Sequence, residues 1–241
     1  MSNFNLGMVL SYHSLLIQGA LTTLVLTIGS AAIGGVLGPC IGMLRASSYR
    51  WLSWVSGIYV ELFRATPTLV QVVWVYFALP VITGVQLSGF VSVLLTLGLH
   101  EGAYVGEIFR AGIKSIDKGQ MYAARAIGMS YRQSMQRIIL PQAFKRMVPP
   151  LVNEFASLMK LTSLASVIAV PELLHAADNV ISFTFRPMET YTAIAVIYAI
   201  LVLPIIALAG YLDRKSGRTS RCRLSTNARC RPPLPGKQAP R

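Results

Sequence analysis

Charge-free apolar runs recur along this chain, and the polar stretches between them are crowded with arginine and lysine. Residues 19–44 carry no charge and are long enough to cross a hydrocarbon core of about 30 Å. Gly29, Ala31, Ala32, Gly34, Gly35, Gly38 and Gly42 make this run rich in small residues, which let helices approach closely in lipid. Arg45 and Arg50 follow at once. Residues 65–99 are also charge-free, too long for one span and short for two. Turn chemistry at Leu79-Pro80 and Thr83-Gly84 divides them. The pattern therefore predicts spans over 19–44, 53–79, 88–110, 151–170 and 190–212. The second carries Glu61 and Arg64, spaced to pair on one helical face. The third carries Glu101, Glu107 and Arg110, and the fourth Glu154 and Lys160.

Basic residues then set the orientation. Arg45 and Arg50, the stretch 111–150 and the C-terminal tail fall on one side of a five-span chain, whereas the opposite connections carry only Arg186. Positive-inside bias gives the N-terminus outside and the C-terminus in the cytoplasm. Composition agrees with an all-α, multi-pass membrane protein. Of 241 residues, 54% are hydrophobic and 13% charged, about half the usual charged share of a soluble domain. The net charge of +13 would suggest nucleic acid in a soluble protein. Here the cations flank apolar runs, so no nucleic-acid partner is expected. Residues 1–215 form the transmembrane domain on this reading. Residues 216–241, rich in Arg, Ser and Pro, read as a disordered basic tail with at most weak attraction to anionic lipid.

Chemistry is sparse. Cys40, Cys222 and Cys230 have no metal-ligand spacing, and His13, His100 and His175 are far apart in sequence. Neither a nucleophile elbow nor a phosphate-binding P-loop is present. No catalytic residue, metal or cofactor is therefore assigned, and nothing in the sequence would let the chain hydrolyse ATP by that route.

The stretch 111–150 stands apart. It carries seven cations (Lys114, Lys118, Arg125, Arg132, Arg137, Lys145 and Arg146) against Asp117 alone. Ala123, Ala124 and Ala126 favour a short helix, which Gly128 stops in the left-handed conformation. Ser130 caps a second helix, ended by Pro141. Ala124 and Gly128 lie one turn apart and would leave a flat face for a partner, with Met121, Ile127 and Met129 as adaptable apolar contacts. Two uses fit these residues equally: a docking surface, or an amphipathic pair lying on the bilayer.

The long-range spacing distinguishes them. Ala123-Ala124, Gly128, Ile138 and Leu140-Pro141 resemble the EAA loop of binding-protein-dependent ABC importer permeases, with pattern E-A-A-x3-G-x9-I-x-L-P. Tyr122 stands where that pattern has Glu. Glu61-Leu62-Phe63-Arg64-Ala65-Thr66-Pro67 with Gln71 is similar to a segment of polar amino-acid permeases. So are Ala103-Tyr104 with Glu107-Ile108 and Arg110, and Lys160 with Thr162-Ser163-Leu164. The resemblance covers about residues 15–212.

It implies a type I ABC importer permease in a bacterial cytoplasmic (inner) membrane. Its partners would be a pair of ABC ATPase subunits that bind the ATP, a second permease subunit, an extracytoplasmic solute-binding protein and membrane lipid. The cargo would be a polar amino acid. Tyr122, Ala123, Ala124, Gly128, Ile138, Leu140 and Pro141 would couple to the ATPase. Arg64, Thr66, Gln71, Glu101, Glu107, Glu154 and Lys160 are candidates for the substrate pathway, because charges within lipid usually face a bundle interior or aqueous cavity. For Glu61–Arg64 and Glu107–Arg110 a structural pairing near the cytoplasmic interface is favoured over a substrate contact, whereas Glu101, Glu154 and Lys160 fit either role. A channel or a secondary transporter for small polar solutes is the alternative function; it leaves the EAA spacing without a purpose.

Overall fold

A computed structural model of the chain describes residues 7, 9, 11–47 and 49–227, with side chains to Arg214. The described residues are all helical or connecting, with no strand. Three helices are long and apolar enough to cross a membrane: α1 (His13–Ala46), the run Tyr131–Ile168, and the last helix over Pro187–Arg214. A fourth span is made if α2 (Arg50–Ala65) and the bent continuation Thr68–Thr83 count as one. That continuation comprises α3 (Thr68–Val73), a π-helical turn Trp74–Ala78 and α4 (Leu79–Thr83). The long α5 (Gly89–Lys114) carries His100, Glu101, Glu107 and Arg110 along its length.

The straight span expected over 53–79 is corrected: the chain turns by 103° between α2 and Thr68–Thr83. Thr66 and Pro67 are both extended, with ψ of 141° and 132°. The proline ring disfavours the helical region for the residue before it. A second correction concerns Pro141, which does not end its helix. The π-turn Met135–Ile139 links α7 (Tyr131–Ser134) to α8 (Leu140–Leu161), and Pro141 lies in the first turn of α8. Leu79-Pro80 follows the π-turn of Trp74–Ala78 in the same way. Proline has no N–H to donate and crowds the carbonyl four residues back. A preceding π-turn widens the backbone there.

Between α5 and α7 lies α6 (Lys118–Ala126). Beyond α8 come a 3₁₀ segment Thr162–Ile168, α9 (Leu173–Thr184) and α10 (Pro187–Asn227). Residues 216–227, expected to be disordered, continue α10; residues 228–241 lie outside the described residues.

The principal packing is α1 against α5, the most extensive helix pair in the molecule. It is a reciprocal fit of small residues. Glycines 34, 38 and 42 of α1 lie against Glu101, Val105 and Phe109 of α5. In return, glycines 98, 102 and 106 of α5 lie against Ile33, Leu37 and Ile41 of α1. A Cβ built at Gly98 would stand 2.8 Å from Ile33 Cγ2, and one at Gly106 2.9 Å from Ile41 Cγ2. Neither helix can thicken on this side. In lipid, where apolar burial gives no drive to associate, such close packing holds helices together.

Around this pair, Leu26, Val72, Val93, Leu97 and Leu158 form one buried cluster joining α1, α3, α5 and α8. Leu16 of α1, Leu173 and Val180 of α9 and Ile194 of α10 form another. Glu172 ties these last elements. Its carboxylate caps α9 by accepting from His175 N–H at 2.8 Å and accepts the Tyr198 hydroxyl at 3.1 Å, while Thr23 Oγ1 accepts from Leu173 N–H at 3.3 Å.

Candidate functional site: a capped loop and a charged junction

The segment between α5 and α8 is built from local signals. Asp117 caps α6, accepting from Gly119 N–H at 2.6 Å. The helix ends in a Schellman pattern. Met129 N–H donates to Ala124 C=O at 3.2 Å and Gly128 N–H to Arg125 C=O at 3.1 Å, with Gly128 at φ 85°. Only glycine adopts that backbone cheaply. Ser130 then opens α7 with a full capping box: its hydroxyl accepts from Gln133 N–H, and the Gln133 side chain accepts from Ser130 N–H at 2.9 Å.

This segment is fixed to the membrane helices by an apolar cluster. Ile116, Ile139, Ala143 and Met147 are buried together, and Ile108, Ile113, Met121 and Ile138 pack against them. Gly112 receives the Met147 side chain, and the Arg146 guanidinium donates to the Ser115 carbonyl at 2.5 Å. The outer side is left bare. Tyr122 is 68% exposed and Ile127 78%, with Ala123, Arg125 and Gly128 exposed beside them. Ala124 differs from expectation: it is 2% exposed and faces inward, so the flat face does not include it. Ile138 and Leu140 are half-buried and Pro141 is exposed, where the π-turn passes into α8.

The remaining candidates fall into three groups. Thr66 and Gln71 hold the bend. The Gln71 amide nitrogen donates to the Phe63 carbonyl at 2.9 Å, the Thr66 carbonyl at 3.1 Å and Thr66 Oγ1 at 2.7 Å. These acceptors include a carbonyl freed by the helix break, and unsatisfied carbonyls in an apolar setting are costly. Gln71 Oε1 is buried without a partner among the described residues.

Glu107 forms a clasp. Arg45 donates to it at 2.6 Å from the end of α1, and Arg110 donates through Nε at 2.9 Å and 3.0 Å as well as through its terminal nitrogen. Arg45 also lies 3.7 Å from Glu61. The expected Glu61–Arg64 pair is thus replaced by Glu61–Arg45, whereas Glu107–Arg110 forms as the spacing indicated. The sequence reading treated Arg45 only as an orientation signal. Its long-range partner, 62 positions away, left no local trace.

The third group is an electrostatic cluster at mid-molecule. Glu154 on α8 is within electrostatic reach of Arg64, Lys160 and Glu101. Arg64 lies over the Tyr104 ring at 5.5 Å, a cation–π distance. The Tyr104 ring in turn lies against His100, centroids 4.6 Å apart and tilted by 30°. Glu101 is 3% exposed, and its Oε2, like His100 Nδ1, has no partner among the described residues.

An all-helical membrane protein whose longest inter-span segment is doubly capped, anchored inward and bare outward has the build of an importer permease. Residues 38–218 match the family described as binding-protein-dependent transport system inner membrane component, and the chain belongs to that family. Within it, the chain is an ABC transporter permease of the group whose relatives are named for amino acids. It is 36% identical over 200 residues to the arginine transport system permease protein of Bacillus subtilis (strain 168), covering 83% of this chain and 91% of that one. It is 36% identical over 202 residues to the glutamine transport system permease protein of Escherichia coli (strain K12), covering 83% and 92%. Its fold matches the crystal structure of an amino acid ABC transporter with histidines at a TM-score of 0.81 and 36% identity, over 86% of this chain and 96% of that chain.

Proposed function

We propose that this permease carries a polar amino acid across a bacterial inner membrane. It does so as one of two permease subunits, driven by a pair of ABC ATPases docked on residues 111–150. ATP is bound by those partners, and an extracytoplasmic binding protein delivers the solute. The five-span, N-out arrangement belongs to this reading, with α5 as the third span despite its charges. Its support is that Arg45 at the end of α1, the basic α6–α8 segment and Arg214 lie where positive-inside bias puts cytoplasmic ends. The substrate pathway runs past Glu101, Glu154, Arg64 and Lys160. Thr66, Gln71 and Glu107 shape it by holding the bend and the clasp.

The observation that carries the coupling role is the polarity of α6. It is pinned inward by a buried cluster and a turn that needs Gly128, while Tyr122, Ala123, Arg125 and Ile127 are exposed on its outer side. A short rigid helix seated in a partner's groove transmits movement as a body. Co-purification with the candidate ATPase tests this. Wild-type chain should retain the ATPase and Gly128→Asp should lose it, since a side chain at φ 85° distorts the turn. Failure of wild type to retain any ATPase, together with solute uptake independent of ATP, would contradict the proposal in favour of a channel or secondary carrier.

A further inference from the structure

A cleft of about 850 Å³ lies where α1 ends and α2 begins, along the face of α2 that carries Trp54, Ile58 and Leu62. Arg45, Arg50, Ser47 and Ser53 line one end; Trp54, Ile58 and Leu62 line the wall. Glu61 is the one carboxylate in this lining, set against two guanidinium groups. The Arg50 guanidinium makes no ion pair or hydrogen bond among the described residues, and residue 50 is exposed. Arg45 commits one terminal nitrogen to Glu107 at 2.6 Å. Its other terminal nitrogen stands 3.7 Å from Glu61, beyond hydrogen-bond range, and keeps donors for a further acceptor.

The surroundings are those of a membrane interface. Tyr49, Trp51 and Trp54 are 74%, 70% and 67% exposed, and such aromatic rings collect at headgroup level. Ile58 and Leu62, 50% and 59% exposed, continue the wall one and two turns along α2. Only Ser56 and Val60 of α2 are buried. An anion-seeking end and an apolar wall on one amphipathic helix match a ligand with a phosphate at one end and hydrocarbon at the other. A soluble amino acid has no use for the wall, and a zwitterionic lipid brings beside its phosphate a cation that Arg45 and Arg50 repel.

We propose that this cleft is a binding site for an anionic phospholipid. Its phosphate lies between Arg50 and the free donors of Arg45, and an acyl chain runs over Trp54, Ile58 and Leu62. Basic pockets at the ends of membrane helices select anionic headgroups in this way. The site is independent of the solute carried and of ATPase docking, so its failure and theirs are separable.

Native mass spectrometry of the detergent-purified full chain tests it, with phosphatidylglycerol, phosphatidylcholine and free glycerol 3-phosphate as probes. Phosphatidylglycerol should bind about tenfold more tightly than phosphatidylcholine. Arg50→Gln should erase about tenfold of that affinity by removing a charge-assisted phosphate contact. Gly57→Leu should weaken binding about tenfold by placing a side chain in the cleft beside the Arg45 guanidinium. A Cβ there meets only the Arg45 guanidinium at 3.8 Å, and leucine is the better helix former, so the thermal midpoint without lipid should not fall. Should Gly57→Leu unfold the chain, exposed Arg50→Gln carries the test alone. Equal retention of both lipids, full competition by glycerol 3-phosphate, or unchanged binding in Arg50→Gln would overturn the proposal. Disulfide-linked dimers of Trp54→Cys in the membrane would also overturn it, by giving the cleft to a second copy.

Discussion

The α1–α5 pair and the bent α2–α3 arm are both apolar, and they are held in opposite ways. The pair is closed by glycines on both helices, each receiving a side chain from the other, and buried Glu101 against Gly34 is the one acid among those side chains. The arm buries two residues along α2 and is held at its bend by one glutamine amide and at its base by arginine–carboxylate contacts. Close backbone packing tolerates little change, because every displacement collides or opens a void. Hydrogen bonds and ion pairs can exchange partners. The molecule therefore has a rigid spine and an arm whose angle is set by a few replaceable contacts.

The contrast is broken most severely at the spine. Gly98→Leu drives a side chain into Ile33 and should cost about 3 kcal/mol, seen as a lower thermal midpoint and poor yield in detergent. A leucine at Gly35, whose Cβ meets nothing within 4 Å, is the matched control and should be near neutral. The clasp comes next. Arg45 and Glu107 side chains are 16% and 19% exposed, so Arg45→Gln should cost about 2 kcal/mol, less than a fully buried pair. In a double-mutant cycle with Glu107→Gln, a coupling near zero would remove the clasp from the account.

A smaller effect is expected at the bend. Gln71→Leu keeps the volume but strips three acceptors of their donor, for about 1 kcal/mol. Spin labels at exposed Trp51 and Ile82 should then report a broader distance distribution. An unchanged distribution would assign the bend to Pro67 alone. The smallest effect is a pH slope. Burial raises the Glu172 carboxyl above its ordinary value, against the opposing hydrogen bonds from Leu174, His175 and Tyr198. The folded state then holds a proton that the unfolded state releases, so stability falls as pH rises from the ordinary value through the raised one. Glu172→Gln should flatten that fall, and an identical slope in the variant would contradict it.

Local signals were legible in the sequence and distant ones were not. The Gly128 turn and the Ser130 cap are written in consecutive residues, and the structure has both. The run 19–44 was rightly read as close-packing from its small residues. Its counterpart, glycines 98, 102 and 106, has the same one-turn spacing, but Glu101 among them and Glu107 and Arg110 just beyond give that run the look of a charged stripe. The bend at Pro67 was foreshadowed by the extended preference of a residue before proline, but a charge-free run concealed it. Pro141 misled in the other direction, since a π-turn is not announced by composition. Arg45–Glu107 joins elements 62 positions apart, which no window on the chain contains, and the inward turn of Ala124 follows from how α6 folds back beside α7 and the π-turn after it.

The coupling role proposed for α6 is to receive the work of ATP hydrolysis. Its most direct measurement is ATP-dependent amino-acid uptake into proteoliposomes holding the permease, the ATPase and the binding protein, with wild type and Gly128→Asp compared at equal incorporation. The account predicts uptake by wild type and its loss in the variant, while the ATPase alone keeps its basal hydrolysis. Equal uptake by both, or uptake without ATP, would contradict it.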